Sequence, residues 1–454
     1  MKSSRLVLFL VAASAALAVF AGAPARAATA KPNVLIVLMD ALRADVLGPY
    51  GYKKRPTTPN LDRFASRSVV WEYTQSQNAW TVPTVASLFS GVDPQAHKTL
   101  RGPETKEANT LSPDHQTVAE QFKGAGYNTA AFVKSTVLGA SQGFSQGFDN
   151  YQVVGGTDQA WGHSARQLND AFIPWLTAQK SSTKPFFAYL HFMDVHSPYK
   201  APEPWYSKYK TGPSKLSGAH VEIDKMIKDG VKPTADDIER LYALYDAEME
   251  YFDTEFGRLM GELVASGLDQ NTIVVFTADH GEAFYEHQQW FHGNLYQENI
   301  RIPAIVKAPG VPAGRLKGYT QQVDIAPTLT DLAGVPRGAH WMGRSQAATM
   351  RTGTADSGDG VYSEWAEHRA FIEAGTGLKL IINDGPVKLY DTKADPKETT
   401  NLASSRAADV ARIRARLDAR YALGKKVGEK FSTSAPQQYT DEQLEQLRIL
   451  GYIE

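Results

Sequence analysis

Two acidic segments of the sequence are candidates for binding a hard metal ion. Asp40 directly follows one apolar run, and the adjacent Asp279 and His280 closely follow another. Taken alone, an acid after a strand is more often a helix cap or a turn residue. The pairing of Asp279 with His280 after a run that should be buried favours a metal site instead. Asp40, Asp279 and His280 are therefore our candidate metal ligands.

Thr81 is a candidate nucleophile because it lies at the predicted start of a helix. Pro83 stands where the first helical turn would begin, and Gly91 stands where the helix would end. Unpaired backbone amides and the helix dipole at such an N-terminus favour an anion, either an alkoxide or a bound phosphate or sulfate. The simpler alternative is that Thr81 only caps the helix. This pattern alone leaves both interpretations open.

Four apolar runs are predicted to be buried strands of a parallel sheet. They are Asn33–Met39, Asn128–Val133, Phe186–Phe192 and Thr272–Phe276. Helical spacing covers residues 118–123 and 236–263 between them. The alternation predicts an α/β fold with a central, mostly parallel sheet and helices on both faces. Because ligands of such sheets bind beyond the carboxyl ends of the strands, Asp40 and Asp279 should converge on one crevice.

The chain is expected to have a large catalytic part and a small C-terminal part. At 454 residues it is too long for one ordinary core. We predict a catalytic domain over residues 32–345 and an α+β subdomain over residues 360–454, with the Gly, Ser and Asp-rich stretch 353–360 between them. The long polar stretches 151–164 and 207–234 are predicted to be functional loops.

The predicted C-terminal subdomain combines a hairpin with one helix. Two short strands, 378–383 and 387–390, flank an Asp-Gly dipeptide that is typical of a hairpin turn. Val410, Ile413 and Leu417 share one face of a predicted helix. That face could cover the hairpin.

The N-terminal residues 1–27 have the pattern of a bacterial-type export signal. Lys2 and Arg5 are positive, residues 6–23 are apolar and Ala-rich, and Ala25 and Ala27 have the spacing of a cleavage site. We therefore predict a periplasmic or secreted protein, with an uncleaved membrane anchor as the alternative. No other segment is apolar enough to span a bilayer, so no stable membrane span is expected after cleavage.

Composition narrows the partners and the chemistry. The formal net charge of -1 argues against a nucleic-acid partner, because such proteins usually carry a clustered excess of Lys and Arg. An anionic substrate must therefore be met by local charge. The chain has no cysteine, so no thiol takes part in catalysis or metal binding, and stability must come from core packing.

Segments along residues 32–403 resemble the sulfatase family of the alkaline phosphatase superfamily, and they follow that family's order. They include PNVLIVLMDALRADVLGPYGY, TVPTVASLFSGVDPQAHK, FFAYLHFMDVHSPY, VVFTADHGEAFYEHQQWFHG and LYDTKADPKETTNLA. One such segment would be weak evidence for a family resemblance, but several segments in the family's order argue against a chance match. The resemblance implies a metal-dependent hydrolase or transferase of sulfate or phosphate esters.

Three positions depart from the family pattern. Counting from Pro83 and Gly91 places Thr81 at the nucleophile position, where sulfatases have a Cys or Ser that is converted to formylglycine. Thr81 cannot undergo that conversion, because its Cβ carries an extra methyl group. Val85 replaces the family arginine, and Ala41 replaces the second aspartate of the usual pair. These departures argue against hydrolysis by the usual sulfatase route.

The departures resemble one-metal members of the superfamily that use an unmodified threonine, such as lipoteichoic acid synthases and phosphoethanolamine transferases. The segment after the first strand is also similar to that of phosphonate monoester hydrolases. The resemblance implies one divalent ion held by Asp40, Thr81, Asp279 and His280. Mixed oxygen and imidazole ligands suit manganese or zinc better than calcium. Thr81 would attack the ester, and water or another hydroxyl would resolve the phospho-threonine intermediate.

Further side chains match family positions that contact the anion or its leaving group. By this resemblance, His196 and His292 are candidate catalytic residues. Lys134 matches the family's active-site lysine and is a candidate anion ligand. His97 either contacts the substrate or supports the nucleophile loop.

Three functions from different classes remain open. The first is a hydrolase or transferase of phosphate or phosphonate esters that works through Thr81 and one metal ion. The second is a sulfuric ester hydrolase that acts without formylglycine. The third is a catalytically weak protein that binds an anionic glycan or lipid. The retained candidate ligands argue against the third, and the missing formylglycine precursor separates the first two. The expected partner is a small-molecule, glycan or lipid ester substrate.

Overall fold

The structure, a computed structural model, describes residues 31–100, 107–108, 110–155, 164–383, 385–435 and 437–449. The predicted signal peptide lies outside the described residues. Residues 156–163 of the first predicted loop, 151–164, also lie outside them. Among the described residues, no helix has both the length and the apolar character needed to cross a membrane.

Strands and helices alternate along most of the chain, as the sequence predicts. The strands are β1 (Asn33–Met39), β2 (Val69–Gln75), β3 (Glu107–Ala108), β4 (Asn128–Val133), β5 (Asn150–Val153), β6 (Phe186–Phe192), β7 (Thr272–Ala278), β8 (Ala283–Phe284), β9 (Trp290–Phe291), β10 (Arg301–Ile302), β11 (Ala304–Lys307), β12 (Gly314–Gln321), β13 (Gly360–Trp365), β14 (His368–Glu373), β15 (Leu378–Ile382), β16 (Lys388–Asp391) and β17 (Gln437–Gln438). The helices are α1 (Pro59–Ala65), α2 (Thr81–Ser90), α3 (Pro94–His97), α4 (Val118–Gly124), α5 (Ser164–Gln179), α6 (Trp205–Tyr209), α7 (His220–Lys228), α8 (Ala235–Ala265), α9 (Gln297–Ile300), α10 (Ile325–Ala333), α11 (Thr349–Thr352), α12 (Ala407–Gly428) and α13 (Asp441–Ile449).

A nine-stranded sheet forms the centre of the molecule. Its strand order is β10-β2-β11-β7-β1-β6-β4-β5, and β12 pairs with β2 in parallel. The strands β7, β1, β6, β4 and β5 run parallel to one another, whereas β11 is antiparallel to both β7 and β2. The four strands predicted from apolar runs therefore lie side by side, and the predicted mostly parallel sheet is confirmed.

Helices cover both faces of this sheet because the strands are apolar on both sides. In β1, Val34, Ile36 and Leu38 face one core, which α2, α4 and α10 complete. The alternate residues of β1, such as Leu35 and Val37, face a second core, which α1, α5 and α8 complete. This period of two within a fully buried strand confirms the predicted layering.

The C-terminal part contains a second, antiparallel sheet of four strands in the order β13-β14-β15-β16. The predicted hairpin corresponds to β15 and β16, so it is half of a larger sheet. Helix α12 packs on this sheet through Ile413 and Leu417, as their spacing predicts. The predicted α+β subdomain is confirmed, while the bounds of the two domains remain predictions.

The stretch 207–234 is more ordered than the sequence indicates. Residues 220–228 form the helix α7, which buries only Ile223. The apolar residues Val221 and Ile227 of this helix remain exposed, and the surrounding polar and charged residues give the stretch a composition that predicts a loop. The expectation of a continuous polar loop was wrong there.

Candidate active site

The carboxyl ends of adjacent parallel strands bring the candidate residues together. Asp40 follows β1, and Asp279 and His280 follow β7. His191 lies near the end of β6, on the other side of β1. Since β7, β1 and β6 are neighbours in the sheet, their side chains meet at one edge, as the sequence predicts.

Asp40, Asp279 and His280 form a cluster that fits a divalent cation. Each is completely buried and offers one ligand atom, and these atoms lie within 4.8 Å of one another. Asp40 Oδ1 and Asp279 Oδ2 are buried without a hydrogen-bond partner. Unpartnered carboxylate oxygens are costly in a protein interior unless a cation compensates them. The donor set is therefore suited to one metal ion.

Thr81 is the first residue of α2 and its hydroxyl lies inside this cluster. Thr81 Oγ1 is 3.3 Å from Asp40 Oδ2 and 3.3 Å from His280 Nε2. Trp80 precedes the helix in an extended conformation, which turns the first helical turn toward the strand ends. Trp80, and not Thr81, is the N-cap residue of this helix, and the hydroxyl contacts of Thr81 run to Asp40 and His280. This geometry favours a role in the cluster over the capping alternative.

Backbone and side-chain hydrogen bonds orient the Asp279-His280 pair. Asp279 Oδ1 accepts from the amides of Ala41 at 3.1 Å and His280 at 2.7 Å. His280 Nδ1 is 2.9 Å from the carbonyl oxygen of Gly281, which makes Nδ1 the protonated nitrogen. Nε2 of His280 then presents its lone pair to the cluster, as a metal ligand requires.

Ala41 has a backbone conformation that is unusual for a residue with a side chain. Its φ is +55°, in the left-handed region, and its amide reaches Asp279. Asp and Asn tolerate this region better than Ala does. The position therefore retains the backbone turn but provides no second carboxylate.

The buried charges of the cluster shift each other's protonation. Burial opposes ionisation of Asp40, but the hydrogen bond from His191 and the charges of His196 and His280 hold its pKa well below the usual value. Burial and the nearby charge of Asp40 raise the pKa of Asp279 to about 6. Burial lowers the pKa of His280, but Asp279 and Asp40 more than offset this and raise it. Asp40 is thus firmly ionised, whereas Asp279 takes up a proton near pH 6, and a bound cation would favour its charged form.

The predicted catalytic histidines lie beside the cluster. The ring of His292 is 4.4 Å from that of His280 and 5.3 Å from that of His196, between ring centres. His292 Nδ1 donates to Glu282 Oε1 at 3.1 Å. Burial is the main cause that lowers the pKa of both His196 and His292. Two mainly neutral imidazoles therefore border the cluster.

Lys134 and His97 take different positions from the other candidates. Lys134 follows β4, and its Nζ donates to Gln167 Oε1 of α5 at 2.6 Å. His97 is buried behind α2, where its Nε2 is 3.0 Å from Ser87 Oγ. This placement favours the supporting role for His97, and Lys134 remains a candidate anion ligand.

The sequence did not single out His191 and Glu282, which lie next to the predicted residues. His191 Nε2 is 3.0 Å from Asp40 Oδ2, and its Nδ1 is 2.7 Å from the hydroxyl of Tyr189. Glu282 contacts His292 and accepts from Tyr199 at 3.1 Å. A histidine inside a wholly apolar strand needs a buried polar partner, and this was the available signal for His191.

A second group of His287, Glu298 and Glu398 has similar donor atoms within 4.8 Å of one another. Here Lys379 is completely buried, and its Nζ lies 2.7 Å from Glu398 Oε1. A protein cation therefore already neutralises one of the two carboxylates. Burial raises the pKa of Glu298 to about 8, so the second carboxyl is mainly neutral at pH 7. This group joins the C-terminal sheet to the catalytic part.

Comparison with protein families agrees with the geometry. The family profile described as Sulfatase matches residues 32–335, which is more than half of the chain. The chain belongs to the sulfatase family. A second profile, described as N-sulphoglucosamine sulphohydrolase, C-terminal, matches residues 285–423. Family members are ester hydrolases. The enzyme class that the motifs predict, a sulfatase-like ester hydrolase, is therefore confirmed.

Individual relatives of this sulfatase-family chain include sulfate ester hydrolases. A choline-sulfatase of Rhizobium meliloti is 24% identical over 433 residues, covering 83% of this chain and 83% of the relative. A Delta 4,5-hexuronate-2-O-sulfatase of Bacteroides thetaiotaomicron is 27% identical over 427 residues, covering 82% of this chain and 85% of the relative. The phosphonate monoester hydrolase of Agrobacterium radiobacter has a similar fold, with a TM-score of 0.71 and 21% identity over 87% of this chain and 96% of that one.

Proposed function

We propose that this sulfatase-family protein cleaves phosphate or phosphonate esters with the unmodified hydroxyl of Thr81 as nucleophile. The observation that carries the proposal is the position of Thr81 Oγ1, which is 3.3 Å from both Asp40 Oδ2 and His280 Nε2. A threonine that served only as a cap would turn its hydroxyl toward its own helix. Its position in the ligand cluster supports a catalytic role.

Asp40, Asp279 and His280 would hold one divalent ion, with Thr81 as a fourth contact. Manganese or zinc suits this donor set better than calcium, because an imidazole is among the ligands. When bound, such an ion supplies positive charge that lowers the proton affinity of a neighbouring hydroxyl and neutralises an ester oxygen. Ala41 supports a single ion, since it lacks the carboxylate that its position has in other family members.

The first turn of α2 adds a further stabilising field at the nucleophile. The Thr84 amide bonds to the carbonyl of Trp80, so the preceding amides of Thr81 and Val82 face the N-terminal end of the helix. The helix dipole there favours the alkoxide of Thr81 and the incoming anion. The hydrogen bond of Thr81 to Asp40 orients the hydroxyl before attack.

His196 and His292 would bind the transferring group and protonate the leaving oxygen. In His196 the Nδ1 atom is 2.7 Å from the carbonyl oxygen of Ser197, which fixes the tautomer with Nδ1 protonated. His292 is oriented by Glu282. Burial raises the pKa of Glu282 to about 6, so this carboxylate is mainly ionised at pH 7 and can support a cationic His292 during proton transfer.

Attack of Thr81 Oγ1 on phosphorus forms an O–P bond and breaks the bond to the leaving alcohol. The proton that Thr81 loses passes to one of these initially neutral histidines, which then gives it to the leaving oxygen. Water, or a second hydroxyl in a transfer reaction, then displaces the phosphoryl group and regenerates Thr81. We propose that water is the acceptor, since the relatives named above are hydrolases.

Sulfate ester hydrolysis without formylglycine is the second candidate function. The names of the relatives favour it, because both are sulfatases. The residues of α2 do not favour it: Thr81 cannot form an aldehyde hydrate, and the buried Val85 provides no cation where the family has an arginine. We therefore place phosphoryl transfer first.

The deciding experiment measures turnover of matched phosphate, phosphodiester, phosphonate and sulfate esters by the metal-loaded enzyme. We expect Thr81→Ala to abolish turnover and Thr81→Ser to keep part of it, with both variants folded. Ser90→Ala is the matched control, because it removes a hydroxyl from the other end of α2. Rapid acid quench should reveal a phosphoryl mass increment on Thr81.

Turnover that survives in Thr81→Ala would show that another group is the nucleophile. A sulfate ester preferred over every phosphorus ester would instead favour the second candidate. Thr81→Cys, produced with a formylglycine-generating enzyme, should gain little sulfatase activity because Val85 replaces the arginine of the family pattern.

We also propose that residues 1–27 direct export and are removed, giving a periplasmic or secreted enzyme. N-terminal sequencing of the protein recovered from the producing cells tests this directly. A mature chain that begins near residue 28 supports export, and an intact Met1 in the cytosol contradicts it.

A further inference from the structure

A continuous row of rings leads from the metal-ligand cluster toward solvent. The ring of His292 lies 4.4 Å from that of His280, and the indole of Trp80 lies 4.9 Å from His292. The indole of Trp365 stacks on Trp80 with 5.5 Å between ring centres and 27° between planes. Trp80 and Trp365 are both partly exposed. An aromatic surface therefore begins directly beside Thr81.

The C-terminal sheet places Trp365 in this row. Trp365 ends β13, and the backbone of the preceding residue Glu364 bonds to the segment before the nucleophile helix. The Glu364 amide donates to the carbonyl of Gln77 at 2.9 Å, and Asn78 Nδ2 donates to the carbonyl of Glu364 at 2.6 Å. The indole of Trp365 is thus held against Trp80 by a fixed backbone connection.

Gly293 allows the close approach of Trp365 on the side of His292. It has a φ of +111°, and a Cβ at this position would lie 3.3 Å from the indole of Trp365. A side chain here would be strained and would also push the indole away. The glycine therefore lets the indole pack close to the backbone that carries His292.

We propose that Trp80 and Trp365 form a subsite for the alcohol half of the ester, selective for an alcohol that carries a six-membered ring. This inference deepens the proposed function, because it names the substrate class of the same site. Indole surfaces bind the faces of aryl and pyranose rings through dispersion and ring electrostatics. The subsite lies next to His292, so a ring bound there would belong to the group that leaves.

The two tryptophans cannot be explained by core packing alone. Trp365 packs partly on the small cluster formed by Ala79, Ile381 and Tyr390 and their neighbours, and Trp80 packs partly on the core that contains Val82, but neither indole is fully buried. Trp80 keeps exposed surface although it directly precedes the buried Thr81. Exposed indole beside a catalytic cluster is typical of a ligand site.

The test measures binding and not turnover, so that it is independent of the nucleophile proposal. Non-hydrolysable phosphonates with a benzyl, a pyranosylmethyl, an ethyl or a trimethylammonioethyl group are titrated calorimetrically into the metal-loaded full chain. We expect both ring-bearing phosphonates to bind more tightly than the ethyl compound, by about tenfold, the size of one aromatic contact.

Variants of Trp365 identify the source of this preference. Trp365→Leu retains apolar volume but has no ring, so it should bind the ring-bearing and ethyl phosphonates with similar affinity. Trp365→Phe should keep part of the preference for ring-bearing phosphonates. Trp175→Leu is the matched control, because Trp175 contacts Phe186 at the amino end of β6, the end of the sheet opposite to the site.

Three results would overturn the inference: equal binding of ring-bearing and ethyl phosphonates, a preference that survives in Trp365→Leu, or an effect confined to the ammonium compound. If ring selectivity is found but no phosphorus ester is turned over, the subsite stands and the proposed phosphoryl chemistry fails. If esters are turned over without ring selectivity, only the subsite fails.

Discussion

Asp40 is held between two imidazoles, and His191 is the one that faces away from the candidate metal position. Its Nε2 lies 3.0 Å from Asp40 Oδ2, while the Tyr189 hydroxyl at 2.7 Å donates to its Nδ1. This arrangement makes Nε2 the nitrogen that donates to the carboxylate. Such outer partners orient a ligand without touching the ion.

We predict that His191→Ala weakens metal affinity by roughly 10- to 100-fold, the usual cost of losing an outer partner of a ligand. Tyr189→Phe should have a smaller effect in the same direction, because it removes only the hydroxyl that sets the tautomer. Competition with a metal-indicator dye measures both affinities. Unchanged affinity in His191→Ala would show that Asp40 is oriented by other contacts.

His196 and His292 should affect turnover rather than metal binding. Replacing either by Ala is expected to lower kcat by roughly one to three decades, as for loss of an acid or an oxyanion partner. Elemental analysis should find the metal content nearly unchanged. His340→Ala, in the region of Lys430 and Phe431, is a suitable control. If either Ala variant retained full turnover, the replaced histidine would have only a structural role.

At the scale of elements, helix α12 supports the turn that follows the nucleophile helix. Asp93 lies between α2 and α3 and is completely buried, and Arg420 of α12 binds it with contacts of 2.6 and 3.1 Å. The same turn leads to His97, which bonds back to Ser87 in α2. The C-terminal helix therefore helps to hold the nucleophile helix in place.

We predict that Arg420→Met lowers the free energy of unfolding by about 3–5 kcal/mol, because it leaves the charge of Asp93 buried without a partner. Arg414→Met is the matched control on the same helix, since Arg414 is half-exposed and its 3.9 Å ion pair with Asp418 is weak. Chemical denaturation measures both variants. A loss similar to that of the control would show that water or other donors replace the arginine.

At the scale of the whole molecule, a buried glutamate couples stability to pH where the C-terminal sheet meets the catalytic part. Burial, reinforced by the charge of Asp93, raises the pKa of Glu364 to about 8 although the hydroxyl of Tyr362 donates to it. The folded protein therefore retains a proton that the unfolded chain loses near its ordinary pKa of about 4.3. The stabilisation is fully present below that value and is lost as the pH rises through 8.

We predict that the free energy of unfolding of the wild type falls between pH 5 and pH 8 relative to that of Glu364→Gln, by up to about 1.4 kcal/mol for each pH unit. The amide cannot titrate, so this contribution to the slope should disappear in the variant. Urea denaturation at several pH values measures the difference between the two proteins. Parallel pH profiles would mean that Glu364 is ionised in the folded state.

The sequence by itself determined the main elements of the fold and the four residues at the centre of the candidate site. β1, β4 and β6 have the predicted bounds, and β7 extends two residues further, because uninterrupted apolar runs are produced by strands that are buried on both faces. Asp40 and Asp279 were found because the carboxyl ends of neighbouring parallel strands share an edge. Pro83 and Gly91 encode the boundaries of the helix that begins at Thr81, and the family resemblance then identified Thr81 as the candidate nucleophile.

Only the tertiary structure decided which side chains surround that centre. His191 lies in β6 and reaches Asp40 through the strand order, and Trp365 reaches Trp80 through the hydrogen bonds between β13 and the segment before α2. Such contacts join residues far apart in the chain, so no local spacing predicts them. Strands β13 and β14 and helix α7 are short, so the pattern of their apolar residues does not by itself distinguish a strand, a helix and a loop. Local patterns depend on neighbours in sequence, whereas these contacts depend on how the strands are ordered in the sheet.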